Sequence, residues 1–284
     1  MRFTKKKFVF LFYTAILIVS LNAESLKICT FNVERFGKTK IIDRPHILDV
    51  ITDIIIGFDI ICIQEFRSKD PSVMEALNEA VQAKEPDFEL IYGERSGTSS
   101  QKEQNLIFFN TALVKADQAQ AYTYSDINEQ SDPWFAYDPF IATFTEIETG
   151  EMFNVVTIHT RPSRATEEIE GLKKIIPEIV DRTGDDDIIF LGDFNADGSY
   201  YDEETLDDLF PPDGFKIIVE NDNDSTVSDY LFAYDRIITT NPFCGYYSGD
   251  YQTLVFSEEF DLATLGIEED EISDHYPVWA EFTF

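Results

Sequence analysis

The chain has 284 residues and a formal net charge of −32 at pH 7. That length is enough for one large α/β domain with a substantial core or for two small domains. The acidity excludes bulk charge as a source of affinity for a polyanion, so a nucleic-acid substrate would have to be held through metal cations and a few local arginines.

The first segment stands apart. Arg2, Lys5, Lys6 and Lys7 precede an apolar run from Phe8 to Leu21, and Ala23 suits a cleavage residue. This is the pattern of a secretory signal peptide over 1–23; the run is short for a spanning anchor. Its removal takes four basic residues and no acid, leaving the chain still more negative. No Pro/Ser/Gly linker divides the remainder, so 24–284 reads as a single domain. Of three cysteines, Cys29 and Cys62 lie in apolar runs as buried thiols do, and Cys244 in a Gly/Tyr-rich loop. A Cys29–Cys62 bridge is possible if their strands are neighbours, but neither a disulfide framework nor a zinc site is expected.

Leu26 to Asn32 alternates and then turns polar, as a strand does where it opens onto a site. Pro45 followed by Ile47, Leu48, Ile51, Ile54 and Ile55 predicts a helix, and Asp59 to Glu65 a second strand ending in an acid. Strand, helix, strand points to a layered α/β arrangement. Val73, Leu77 and Val81 mark another helix, Phe88 to Tyr92 a short strand, and Gly93 to Gln101 a mobile loop. Strands follow at Leu106–Phe109, Phe140–Phe144 and Phe153–Ile158, the last delivering His159. Ile169 to Ile179 predicts a helix that Pro177 must kink or end. Further strands are expected over 215–219, 230–239, 252–256 and 278–282.

Between them lies Ile188 to Asp197, four apolar residues and then Gly192, Asp193, Phe194, Asn195, Ala196 and Asp197. If the extended path continues, Asp193, Asn195 and Asp197 project to one side, presenting hard oxygen ligands and an amide. Gly, Asn and Asp also make ordinary turns, so these ten residues suit a turn as well as a site. The histidines add weight. His159 and His275 both sit at strand ends, together with Glu65, Asp193 and Asp235, whereas His46 on the first helix reads as a surface or packing residue. Asp235 can pair with Arg236, or can fix the tautomer of an imidazole; Glu103 can serve the second histidine in the same way. Two His, several carboxylates and two Asn suit metal-assisted attack of water on a phosphate ester. No Gly-X-Ser-X-Gly elbow and no Walker loop is present, which argues against a serine esterase or an NTPase.

Asn32, Gln64-Glu65, His159, Gly192 to Asp197, Tyr234-Asp235-Arg236-Ile237 and Ser273 to Pro277 occur in an order that resembles the endonuclease/exonuclease/phosphatase superfamily. Within it, the Asn-Ala-Asp and Tyr-Asp-Arg-Ile forms look most like the secreted deoxyribonuclease I group. The resemblance implies a four-layer α/β/β/α sandwich of two packed mixed sheets flanked by helices. It implies that Glu65 holds a divalent metal, Mg²⁺ or Mn²⁺, assisted by Asp193, Asp274 and Asn32, and that Asn195 orients the scissile phosphate. His275 with Asp235 would be the general base, His159 with Glu103 the general acid, and Arg67 would enter the DNA minor groove. Structural Ca²⁺ would use Asp224, Thr226 and Ser228 in one loop and Asp126 with Asp138 in another. The sequence departs from the group at Glu34, where a basic residue is usual two positions after Asn32, at Gln101 for a stacking tyrosine, at Tyr137 for an arginine, and at Gly198 and Phe232 for two paired half-cystines. Asn223-Asp224-Ser225 is also a glycosylation sequon.

The expected protein is thus a secreted, monomeric, metal-dependent DNA endonuclease with no stable membrane association once the signal is removed. The alternatives are a phosphodiesterase or phosphatase of the same fold acting on sphingomyelin or inositol phosphates, and an idle binding protein.

Overall fold

A computed structural model describes residues 25–116, 118–125 and 133–284. The predicted leader 1–23 and Asp126 lie outside the described residues. Thirteen strands are found among those described: β1 Ser25–Asn32, β2 Ile60–Phe66, β3 Phe88–Tyr92, β4 Gln104–Asn110, β5 Val114–Ala116, β6 Tyr122–Thr123, β7 Phe140–Glu146, β8 Met152–His159, β9 Ile188–Asp193, β10 Phe215–Ile217, β11 Asp235–Thr240, β12 Tyr247–Thr253 and β13 Val278–Thr283. They form two mixed sheets, one in the order β12-β13-β1-β2-β4-β3 and one in the order β10-β11-β9-β8-β7-β5, with β6 also on β7.

Period-two alternation assembles the layers. Leu26 and Ile28 of β1 and Ile60 and Cys62 of β2 meet Phe153 and Val155 of β8 and Ile189 and Leu191 of β9 between the sheets. The intervening Cys29, Phe31, Ile61 and Ile63 face outward onto helices α1 (Pro45–Ile56) and α2 (Pro71–Lys84). On the other sheet Val156, Ile158, Ile188 and Phe190 face α3 (Ala165–Leu172) and α4 (Ile176–Thr183). The result is the expected four-layer α/β/β/α sandwich, its central strands apolar on both faces because both are covered. Cys29 and Cys62 therefore point to opposite sides of one sheet, and all three thiols are free.

Several local expectations are corrected. The helix expected over 169–179 is two, because Pro177 sits in the first turn of α4, where its missing N–H costs no hydrogen bond. The strand expected from Tyr230 begins only at Asp235; the preceding backbone bonds to loops instead, with Ser225 N donating to Phe232 O and Ala233 N to Asp197 Oδ2. The strand expected over 252–256 is displaced to β12, an edge strand whose exposed, polar residues carry little apolar signal. No helix among the described residues is long and apolar enough to cross a membrane.

Candidate active site

The inter-sheet face changes character at one end. Along β1 it runs Leu26, Ile28, Thr30, Asn32; along β2, Ile60, Cys62, Gln64; along β8, Val155, Thr157, His159; along β9, Ile189, Leu191, Asp193. Register makes these ends level: Asn32 pairs with Gln64, His159 with Asp193, and Asp235 with Asp193. A polar layer closes the apolar core beneath them, with Gln64 Nε2 donating to Thr157 Oγ1 at 2.9 Å across the two sheets. At the β8–β9 seam the backbones approach so closely that a Cβ on Gly192 (φ +150°) would lie 1.9 Å from Ile158 O, so only glycine fits one step before Asp193.

Two carboxylate–imidazole pairs occupy the mouth. His159 Nδ1 donates to Glu103 Oε2 at 2.7 Å, and His275 Nδ1 donates to Asp235 Oδ2 at 2.7 Å. Both Nε2 atoms then face one oxygen, Asp193 Oδ2, at 3.4 and 3.7 Å. The two side chains are only 8% and 10% exposed, so each is fixed in one orientation with its Nε2 edge turned into the cleft. Burial alone would lower the pKa of His159, but Glu103, Asp193 and Glu65 outweigh it and hold it at about 9. His275 is raised for the same reason, against burial, by Asp235 and Asp193. Burial raises the Glu103 carboxyl, yet His159 and Arg67 bring it below its ordinary value. Burial pushes Glu65 up.

Glu65 reaches the cleft by a backbone device. Alternation would turn it toward the helices, but the β2–β4 register shifts between Ile63 and Phe66 and Glu65 adopts φ +65°. A left-handed acid at a bulge re-aims its side chain, as functional sites often require. Its Oε2 accepts from Arg35 N at 2.7 Å and contacts the Arg67 guanidinium at 2.8 Å, while Oε1 lies 4.0 Å from His159 Nε2. Arg67 also binds Glu103 Oε1 at 3.0 Å. Asn32 Nδ2 donates to Asp193 Oδ2 at 2.9 Å, and Asn32 Oδ1 is buried without a hydrogen-bond partner. The unpartnered amide oxygen beside the Asp193 carboxylate offers oxygen ligands suited to a hard divalent cation, and Glu65 Oε1 faces the same His159 Nε2 as Asp193 Oδ2. Glu65–Glu103–His159 and Asp193–Asp235–His275 each bring ligand atoms within 4.8 Å of one another. Asp274 is more peripheral, with Oδ1 3.9 Å from His275 Nε2 and its side chain largely exposed.

The extended path proposed beyond Asp193 is not followed. Asp193 Oδ1 accepts from Asn195 N, Asn195 takes φ +48° with Nδ2 donating to Thr160 O, and Asp197 turns away to hold Ala233 N and Gly198 N. Asp193 therefore lies among the site's groups and Asn195 is tied to it through its backbone N–H, while Asp197 is a turn residue. Four further residues support the site, and none was assigned that role from the sequence. Ser225, fully buried, donates to Asp235 Oδ2 at 2.9 Å, and Ser273 Oγ ties Asn32 O to the amides of Glu34 and His275. Tyr137 stacks on His159 with ring centroids 5.2 Å apart, and Arg161 lies over Tyr137. The sequon is structural here: Ser225 serves Asp235, and Asn223 Nδ2, the atom a glycan needs, is buried. In the loop expected to hold calcium, Asp224 Oδ1 accepts from Thr226 N and Phe232 N, and Thr226 Oγ1 lies 3.0 Å from Ser228 Oγ. Asp138 N donates to Ser96 Oγ beside the 93–101 loop.

The model of the Endonuclease/Exonuclease/phosphatase family matches residues 29–275, the span that carries every group above. The chain belongs to that family. It is a phosphodiester hydrolase by that membership and by its twin imidazole–carboxylate pairs. Mouse deoxyribonuclease-1-like 2 is 31% identical over 272 residues, covering 93% of each chain. Among solved structures, an endonuclease/exonuclease/phosphatase family protein from Bacteroides thetaiotaomicron superposes with a TM-score of 0.62 at 17% identity, covering 92% of this chain and 95% of that one. A mannosyl-6-phosphatase of the same organism gives 0.60 at 18% identity, covering 91% and 100%. These two likenesses establish the shared fold.

Proposed function

We propose that the chain is an exported, divalent-metal-dependent endonuclease, with residues 24–284 as one catalytic domain that hydrolyses DNA phosphodiester bonds. The observation that carries this reading is the convergence of two oriented imidazoles on Asp193 Oδ2 beside a donor set of Glu65, Asp193 and Asn32. The kinship with deoxyribonuclease-1-like 2, covering nearly the whole of both chains, favours DNA over a sugar phosphate or lipid.

Glu65, Asp193 and the unpartnered Asn32 Oδ1 would hold Mg²⁺ or Mn²⁺, with Asp274 at the rim. When bound, the cation supplies Lewis-acid polarisation of a phosphoryl oxygen. The protein residues supply the rest. Asp235 fixes the His275 tautomer with Nδ1 protonated, so Nε2, once it has released its own proton, is the atom that takes one from water; Glu103 holds His159 so that Nε2 gives one to the leaving oxygen. Asn195 positions the phosphate. Arg67, held by Glu65 and Glu103 beside His159, is the guanidinium that would reach the nucleic acid. Asp224, Thr226 and Ser228, and Asp138 with Asp126, remain candidates for structural Ca²⁺.

The test incubates purified protein with supercoiled plasmid, sphingomyelin and inositol phosphates in Mg²⁺, Ca²⁺ or EDTA. Nicked and then linear plasmid with Mg²⁺ alone, slowed by roughly 10²–10⁴ in His159→Ala or His275→Ala, is the expected result. Intact plasmid alongside a cleaved lipid or inositol phosphate rejects the nuclease reading.

A further inference from the structure

A strip of aromatic rings leads from the catalytic imidazole to the outer surface. The Tyr234 centroid lies 6.1 Å from His275 and 5.0 Å from Phe232, with the Tyr234 and Phe232 planes within 5° of parallel. Phe232 meets Tyr230 at 6.2 Å, and Tyr200 flanks Tyr234 at 5.5 Å. Tyr230 is 72% exposed and Tyr200 40%, so the outer rings offer bare faces and edges to solvent. Aromatic surface on that scale is normally buried in the core or held for a ligand.

The strip is also rigid. Gly198 allows the Phe232 ring to lie against its backbone, since a Cβ there would meet the ring at 3.0 Å. Ser225 N donates to Phe232 O, Asp224 Oδ1 accepts from Phe232 N, Phe194 N donates to Tyr234 O, and Ser228 Oγ donates to Tyr230 O at 2.6 Å. The backbone that carries Tyr230, Phe232 and Tyr234 is therefore held by its own hydrogen bonds before any ligand arrives, which lowers the ordering cost of binding.

Resting on the nuclease reading above, we propose that Tyr200, Tyr230, Phe232 and Tyr234 form a stacking subsite for unpaired nucleobases next to the phosphate that is cut. The occupant follows from charge and shape. With a net charge of −32, the protein cannot draw a polyanion in by bulk attraction. A single strand carries half the charge per length of a duplex, and its bases have free π-faces where duplex bases are already stacked on one another. Stacking then supplies the affinity that lysines and arginines supply elsewhere. Continuity with His275 ties the strip to the reacting strand. A membrane surface fits less well, since anionic headgroups meet the same repulsion and three of the four rings carry a hydroxyl.

Two measurements on the full-length protein test this. In the first, KM with Mg²⁺ is compared for a single-stranded oligodeoxynucleotide and for the same oligomer with abasic residues flanking the cut. Wild type is expected to favour the base-bearing strand by about ten-fold or more, and the ratio to collapse toward one in the Tyr200→Ala/Tyr230→Ala double variant and to survive in Tyr230→Trp. In the second, His159→Ala/His275→Ala protein binds the same fluorescent oligomers in EDTA, read by anisotropy, so the outcome does not depend on cleavage. Tighter binding of the base-bearing strand that the tyrosine substitutions erase supports the subsite even if the nuclease assay fails. Equal affinity for both oligomers, equal losses on both, or tyrosine-dependent binding to neutral phosphatidylcholine vesicles with none to DNA would each overturn it.

Discussion

The Glu103–His159 pair gives a stability signature that can be worked out from the structure. His159 is raised from its ordinary 6.5 to about 9 because Glu103, Asp193 and Glu65 favour the imidazolium more than burial disfavours it. A raised folded-state pKa contributes stability that is fully present below 6.5 and is lost as pH rises through about 9. At 1.36 kcal/mol per unit, the contribution lost is roughly 3 kcal/mol. Glu103 is lowered, so its side of the same interaction is present above its ordinary 4.5 and fades as pH falls through the depressed value. The pair is thus at full strength between about 4.5 and 6.5 and weakens on both sides. His159→Gln removes the titration while keeping a hydrogen-bonding side chain. In EDTA, the gap in unfolding free energy between wild type and this variant should shrink by roughly 3 kcal/mol from pH 6 to pH 10, about 6–12 °C in Tm. Chemical denaturation and scanning calorimetry at matched pH measure it. A gap that stays constant across that range would show that His159 is not held as an imidazolium by its carboxylates, and the electrostatic account of the site would fail.

Three other outcomes follow from named contacts. Asp235→Asn leaves His275 free to adopt the wrong tautomer, so kcat on plasmid should fall by roughly 10²–10⁴ with little change in far-UV circular dichroism; a near-normal rate would remove Asp235 from the mechanism. Gly192→Ala drives a methyl into Ile158 O at the β8–β9 seam, a backbone clash that no rotamer relieves, and should yield unfolded or insoluble protein. Soluble, active Gly192→Ala would contradict the close approach. Asn32→Ala takes away both the Asp193 hydrogen bond and the unpartnered Oδ1, so Mn²⁺ affinity measured by calorimetry or electron paramagnetic resonance should drop about 10–100-fold; unchanged affinity would place the cation elsewhere.

Much of the frame was legible locally. The alternation of Leu26 to Asn32 and the helical spacing of Ile47, Ile51 and Ile54 each mark an element that the structure contains within a residue or two. The strand-end acids and histidines were legible for the same reason: each breaks an apolar run, and an apolar run that stops in a charge has reached the edge of a core. Where the signal failed, the competing force was not local. Tyr230 to Tyr234 is rich in strand-forming residues, yet its backbone is claimed by Asp197, Asp224 and Ser225. Asn195 and Asp197 look like a continuing strand until the Asp193 side chain caps the turn. Glu65 lies on the wrong face by parity and is re-aimed by a bulge invisible in the residue types.

The sequence by itself determined the family, the apolar strands, the main helices and which acids and histidines stand at the strand ends, because periodicity and motif order are written over a few neighbouring residues. Only the tertiary structure decided the other partnerships, Ser225 with Asp235, Asn32 with Asp193, Arg67 with Glu65 and Glu103, and the aromatic strip beside them, and set the 2.7 Å contacts of the two expected imidazole–carboxylate pairs. Most of these residues lie far apart along the chain. What brings them together is the register of β1, β2, β8, β9 and β11 and the packing of one sheet on the other, a balance of contacts over the whole core that no short stretch specifies.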